Sequence, residues 1–233
     1  MHTVHEYQLA NAVDLASALT RAVTSALHAA ITARGRASLV VSGGRTPVLL
    51  FNQLAQQQLD WRRVVITLAD ERWVRADAAT SNENLVRREL LRDHAVAAQF
   101  VGMMSAADTL ASGAEAAWRA LANIPRPFDC VLLGMGDDGH TASLFPTATL
   151  IDDALNPARP PACVAMQAPV APCQRISLNL AALLESRRLV LHIQGATKWT
   201  VYQTARAPGL ATALPVRAVL HQSVVPVDVF WSP

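Results

Sequence analysis

The chain has 233 residues, 52% apolar and 16% charged, a globular composition well outside the disordered class. Its net charge of +2, from 20 basic and 18 acidic residues, speaks against nucleic acid as a partner, because no segment concentrates Lys and Arg. No window is apolar for long enough to span a membrane, and MHTVHEYQLANAVDLA lacks the pattern of a secretory leader. The three cysteines, Cys130, Cys163 and Cys173, are too scattered for a disulfide framework, and Cys130 in FDCVLLG reads as a buried, inert thiol. A cytoplasmic protein is expected.

Leu15, Leu19, Val23, Leu27 and Ala30 recur at helical spacing and predict a helix over 11–33. ASLVV (37–41) predicts a strand; SGGRTP follows it, then a helix over 47–56 with Pro47 in its first turn. VVITLA (64–69) reads as a strand ending at ADER, and ENLVRRELLRDH (83–94) as a helix. A further helix is expected over 106–122, before the apolar strand FDCVLLGMG (128–136). Beyond a Pro-rich stretch (157–172), RISLNL (175–180) and RLVLHIQG (188–195) predict strands, ATKWTVYQTA (196–205) a helix, and VDVFW (227–231) a closing strand. Strands that alternate with helices and are apolar along their whole length imply an α/β fold, an open, mainly parallel Rossmann-like sheet with helices on both faces. The same alternation continues on either side of the Pro-rich stretch, so it reads as an excursion within one domain, 1–233.

In such sheets ligands bind beyond the carboxyl ends of the strands. Four turns fall there: Ser42-Gly43-Gly44, Asp70-Glu71-Arg72, the segment 134–140, and 195–198. SGGRTP has glycines that free backbone N–H groups for an anion at a helix start, and it reads equally as an ordinary turn with Thr46 as N-cap. Gly134, Gly136 and Gly139 match the dinucleotide spacing G-x-G-x-x-G, but the carboxylates of Asp137 and Asp138 would repel a pyrophosphate. Pro146 follows too soon for a long helix, and no acid lies about 20 residues on to hold a ribose, so NAD is rejected. What the turn supplies is an imidazole, His140, two residues from the carboxylate of Asp138, which can orient the ring while it takes and returns a proton. The alternative makes His140 structural and the aspartates turn formers. His192, inside a strand, reads as a core residue. Arg72 suits a phosphate or a surface ion pair. Lys198, the sole lysine, suits a phosphate or plain solvation. Nothing resembles a nucleophile elbow or an activated cysteine, and metal-ligand spacing is absent.

These residues give the chain a resemblance to the 6-phosphogluconolactonases of the glucosamine/galactosamine-6-phosphate isomerase superfamily. It runs from Val41-Ser42-Gly43-Gly44 and Thr46-Pro47 through Asp70-Glu71-Arg72, Ser81-Asn82 and LGMGDDGHTASLFP (133–146) to Gly195 and Lys198. The related deaminases read HIAFNEP where this chain reads HTASLFP, and carry a tyrosine at the position of Arg72. Arg45 stands where the family has a small residue, and Arg75 where it has a proline. The resemblance implies hydrolysis of a small phosphorylated sugar lactone in the oxidative pentose phosphate pathway, with no cofactor or metal. His140 and Asp138 would be catalytic; Ser42, Gly43, Gly44, Arg45, Asp70, Arg72, Asn82, Arg175 and Lys198 would bind substrate and its phosphate, in a monomer or weak homo-oligomer. The alternatives are a deaminase/isomerase using Asp70 as base, and a non-catalytic sugar-phosphate binding module.

Overall fold

The strands that read as apolar throughout are buried at every position, which requires cover on both faces. The structure, a computed structural model, describes residues 4–233. Ten strands occur among them: β1 (Val4–Gln8), β2 (Ala37–Val41), β3 (Val64–Leu68), β4 (Asp70–Arg72), β5 (Gln99–Val101), β6 (Cys130–Leu133), β7 (Cys163–Gln167), β8 (Gln174–Leu178), β9 (Leu189–Gln194) and β10 (Val227–Ser232). Seven of them form one sheet in the order β1-β10-β9-β6-β2-β3-β5, and every pairing is parallel. The chain runs outward from β2 through β3 to β5, then returns to the other side of β2 at β6. Strand order therefore reverses between β2 and β6, the switch point where such sheets open a crevice at their carboxyl ends.

The helices are α1 (Ala12–Arg34), α2 (Val48–Ala55), α3 (Asn82–Glu89), α4 (Leu110–Ala120), α5 (Ile151–Ala154), α6 (Leu180–Leu184), α7 (Ala196–Arg206) and α8 (Val216–Leu220). The long first helix starts where Asn11 accepts from the N–H groups of Val13 and Asp14, and stops at Gly35, whose φ is 75°. Its Leu15, Leu19, Val23 and Leu27 are all at 0% exposure, each burial contributing about 1.5–3 kcal/mol.

Several boundaries differ from the sequence reading. The strand expected over 128–136 spans Cys130–Leu133, with Phe128 making a separate parallel bridge to Ser186, and it ends where Gly134 and Gly136 turn away into the site. The helix expected over 83–94 ends at Glu89, and the one expected over 106–122 begins after Thr109, which forms a capping box with Ser112. RISLNL lies outside the parallel sheet: β8 pairs antiparallel with β4 and with β7, the latter drawn from the Pro-rich stretch. This small sheet packs beside α4 and carries Asp70 and Arg72 to the mouth of the crevice.

Candidate active site

The loops after β2, β3 and β6 and the start of α7 converge on one cavity of about 250 Å³. Its walls include Ser42, Gly43, Gly44, Arg45, Asp70, Arg72, Asn82, His140 and Lys198. All four strand-end turns singled out in the sequence thus meet at one place.

The turn after β6 is closed by two backbone bonds, Gly136 N–H to His140 O at 2.9 Å and Gly139 N–H to Gly136 O at 3.1 Å. It folds His140 back over Gly136. A Cβ on Gly136 would lie 2.2 Å from the imidazole and 2.7 Å from Asp138 Oδ1, so only glycine fits beneath the ring. Phe145 packs on the ring with centroids 4.4 Å apart. His140 Nδ1 donates to Asp138 Oδ1 at 2.5 Å, and the His140 backbone N–H donates to the same oxygen at 3.1 Å. Burial works against ionisation of Asp138, and these two hydrogen bonds with the imidazole charge outweigh it, holding the carboxyl below its ordinary range. With Nδ1 committed to the carboxylate, Nε2 is the nitrogen left for proton transfer. Ala142, in the cavity wall just beyond, has a φ of 48°, a left-handed conformation that alanine adopts only under constraint.

On the opposite wall, Asp70 is 7% exposed and accepts from Ser143 Oγ at 2.5 Å, while Asn82 Nδ2 donates to Asp70 O at 2.8 Å. Beneath them lies Glu71, at 0% exposure. Its carboxylate accepts from the backbone N–H groups of Arg72, Asn82 and Glu83, each at 2.7 Å, and from Ser81 Oγ at 2.9 Å. Burial pushes this carboxyl up and the four donors pull it down, with burial the larger effect. Glu71 thereby ties the strand carrying Asp70 and Arg72 to the start of α3, which carries Asn82. Asn82 in turn lies against Gly43 so closely that a Cβ there would be 1.9 Å from its amide oxygen.

Three cations, Arg45, Arg72 and Lys198, share the cavity wall with a single carboxylate, that of Asp70. Among the described residues none of the three is ion-paired. Arg72 spends one guanidinium nitrogen on Thr80 O at 2.5 Å and leaves Nε buried without a partner. Ser42 Oγ and Asn82 Oδ1 are also buried and unpartnered. Pro47 precedes α2 and no side chain caps that helix, so Thr46 is not its N-cap, and the Val48 N–H turns back to Arg45 O at 3.4 Å. The arrangement sets three cations without ion pairs and several unpartnered polar atoms around the same cavity as His140.

Two sequence expectations land differently. Arg175 is outside the cavity wall; it faces Arg72 across the antiparallel pair, with its guanidinium 6.0 Å from the Phe145 ring, and burial followed by the Arg72 charge pulls its pKa down. His192, read as core, is indeed buried but lines the cavity. Ser143 meets Asp70 from a distant part of the chain, and Glu71 is held mostly by nearby backbone N–H groups, so no side-chain motif reveals either. Among the described residues no cluster of three or more His, Cys, Asp or Glu side chains is arranged to hold a metal, and no helix is long and apolar enough to cross a membrane.

Fold and site together define an open-sheet α/β protein with an Asp–His pair and a cation-lined cavity at its switch point. The chain belongs to the family described as glucosamine-6-phosphate isomerases/6-phosphogluconolactonase, whose model matches residues 10–231. It is 42% identical to a 6-phosphogluconolactonase of Pseudomonas putida over 99% of this chain and 93% of that one. It is 40% identical to one of Neisseria meningitidis over the whole of both. The crystal structure of a 6-phosphogluconolactonase from Shewanella baltica superposes with a TM-score of 0.95 at 46% identity, covering 99% of this chain and 98% of the other.

Proposed function

We propose that the chain hydrolyses 6-phospho-D-glucono-1,5-lactone to 6-phospho-D-gluconate, the lactonase step of the oxidative pentose phosphate pathway, with His140 as general base. The observation that carries this reading is the His140 ring, fixed by Asp138 at 2.5 Å and set in a cavity with three unpaired cations. The relatives' shared activity supports the substrate. His140 Nε2 takes a proton from a water as its oxygen bonds to the lactone carbonyl carbon. The resulting oxyanion is met by backbone N–H groups of a glycine turn or by a nearby cation. As the ring C–O bond breaks, the imidazolium returns its proton to the departing oxygen, leaving a hydroxy acid that ionises to the carboxylate. Asp138 steadies the imidazolium throughout. Ser42, Gly43, Gly44, Arg45, Arg72 and Lys198 hold the phosphate, Asp70 and Asn82 contact the sugar, and Arg175 supports the wall through Arg72 and Phe145.

The same reading has the chain act without a cofactor, as one domain, in the cytoplasm and as a monomer or weak homo-oligomer. The test is lactone hydrolysis against an enzyme-free blank, with His140→Ala alongside. Loss of general-base catalysis lowers kcat by about 10²–10⁴-fold while thermal unfolding is unchanged. A fully active variant removes His140 from the role. Ammonia release from glucosamine 6-phosphate would instead identify a deaminase, and binding of 6-phosphogluconate with no turnover a non-catalytic module.

A further inference from the structure

One polar group in the cavity wall takes no part in the reaction as drawn. His192 stands on β9 between Leu191 and Ile193, both at 0% exposure, and is itself 4% exposed. The residue lines the cavity, and its Nδ1 is buried with no hydrogen-bond partner. A core histidine normally gives a ring nitrogen to a carbonyl or a side chain, because an orphaned polar atom in apolar surroundings is costly. Here its register partner on β10 is Phe230, which has no polar side-chain atom to offer. Burial, and after it the Lys198 charge, push the imidazole down to about 3, so the ring is neutral at the pH of a cell. A neutral imidazole carries one donor and one acceptor.

We propose that His192 is a substrate-binding residue whose ring hydrogen-bonds a hydroxyl of the sugar, between the lactone carbonyl and the phosphate. The inference rests on the lactonase reading of this cavity. Position supports it: β9 lies beside β6, whose end carries His140, and leads through Gly195 into the helix bearing Lys198. His192 therefore stands between the acid–base pair and a cation suited to the phosphate. Chemistry supports it as well. A hydroxyl both donates and accepts, so it matches either tautomer of a neutral ring, whereas a phosphate dianion only accepts and is served by the cations.

The test compares the unaltered chain with His192→Phe and His192→Asn, whose amide nitrogen falls near the position of Nδ1. Three quantities are read: the Kd of 6-phosphogluconate, the Ki of inorganic phosphate against the lactone, and the pH profile of kcat. His192→Phe weakens 6-phosphogluconate about tenfold, the loss of one neutral hydrogen bond, with inorganic phosphate held within about twofold. The pH profile stays in place, and His192→Asn recovers part of the affinity. Unchanged 6-phosphogluconate affinity in the phenylalanine variant overturns the proposal, as does an equal loss for inorganic phosphate. If the variants fail to fold, the nitrogen-15 shifts of His192 in the unaltered chain decide. They move on adding 6-phosphogluconate and not on adding inorganic phosphate; shifts indifferent to 6-phosphogluconate overturn the assignment. An unaltered chain that binds 6-phosphogluconate but does not hydrolyse the lactone defeats the catalytic reading alone. One that hydrolyses normally but is insensitive at position 192 defeats only this one.

Discussion

Acidification from pH 7 to pH 5 should cost the native chain about 2 kcal/mol through His192 alone. The ring goes from the ordinary imidazole value of 6.5 to about 3 in the fold, because burial, helped by Lys198, disfavours its charged form. In the unfolded chain it takes a proton as pH drops through 6.5; in the folded chain it refuses one until about 3. Throughout that window the unfolded state binds more protons, so stability is complete above 6.5 and is lost at about 1.4 kcal/mol per pH unit on the way down. Integrating from pH 7 to 5 gives about 2 kcal/mol, and any folded value below about 4 gives nearly the same figure. Against a domain stability of about 5–15 kcal/mol this is a large fraction. Urea denaturation of the native chain and His192→Asn at pH 7, 6 and 5 reads it directly. Carboxylates such as Asp138 titrate in both chains and cancel in the difference. The native chain's stability relative to the variant should fall by about 2 kcal/mol across the series. A difference that stays flat would mean the ring protonates in the fold as easily as outside it, and the argument from burial would be wrong.

Two substitutions probe the supports of the site. In Glu71→Gln the amide group must meet donors that a carboxylate accepted from, at a position with 0% exposure. We expect a loss of about 2–4 kcal/mol in urea denaturation and a raised KM as Arg72 and Asn82 loosen; unchanged stability would show that the four contacts are incidental. In Gly136→Ala the new methyl would sit 2.2 Å from the His140 ring, which must swing off Asp138. Steady-state kinetics should show kcat lowered by about tenfold or more, against a modest stability loss of about 1–3 kcal/mol. A normal kcat would mean that the observed Asp138–His140 geometry is not needed for turnover.

The parts of the fold legible in the sequence are those whose signal is local. β2, β3 and β9 are short runs dominated by aliphatic residues, and α1 has both its apolar stripe and its Asn11 cap written in one segment. β1, VHEYQ, is mostly polar, lies at a sheet edge and is a strand only because β10 pairs with it from the far end of the chain. The β4 edge of the β4-β8-β7 sheet is illegible for the same reason. Asp70 pairs with Ser177, a contact that no window on the sequence contains, whereas β7 pairs with the neighbouring β8 but lies within the Pro-rich stretch, which does not read as a strand.

The site divides in the same way. Asp138 and His140 are two residues apart, so their pairing could be read from the glycine-rich turn, whereas the Ser143–Asp70 bond joins segments far apart in sequence and the Glu71 anchor is made mostly to backbone N–H groups, which no residue type signals. His192 is the instructive case, because LVLHIQ reads as core and the burial is as expected. A histidine inside an apolar strand must still find a partner for its nitrogens, and calling it core assumes that the protein supplies one. The one available sequence signal was its place, three residues before Gly195 and six before the sole lysine at the ligand-binding end of the sheet. Only the three-dimensional accounting of hydrogen bonds makes that place a reason for the proposal, since it leaves Nδ1 unpartnered in a residue that lines the cavity shared by His140 and Lys198.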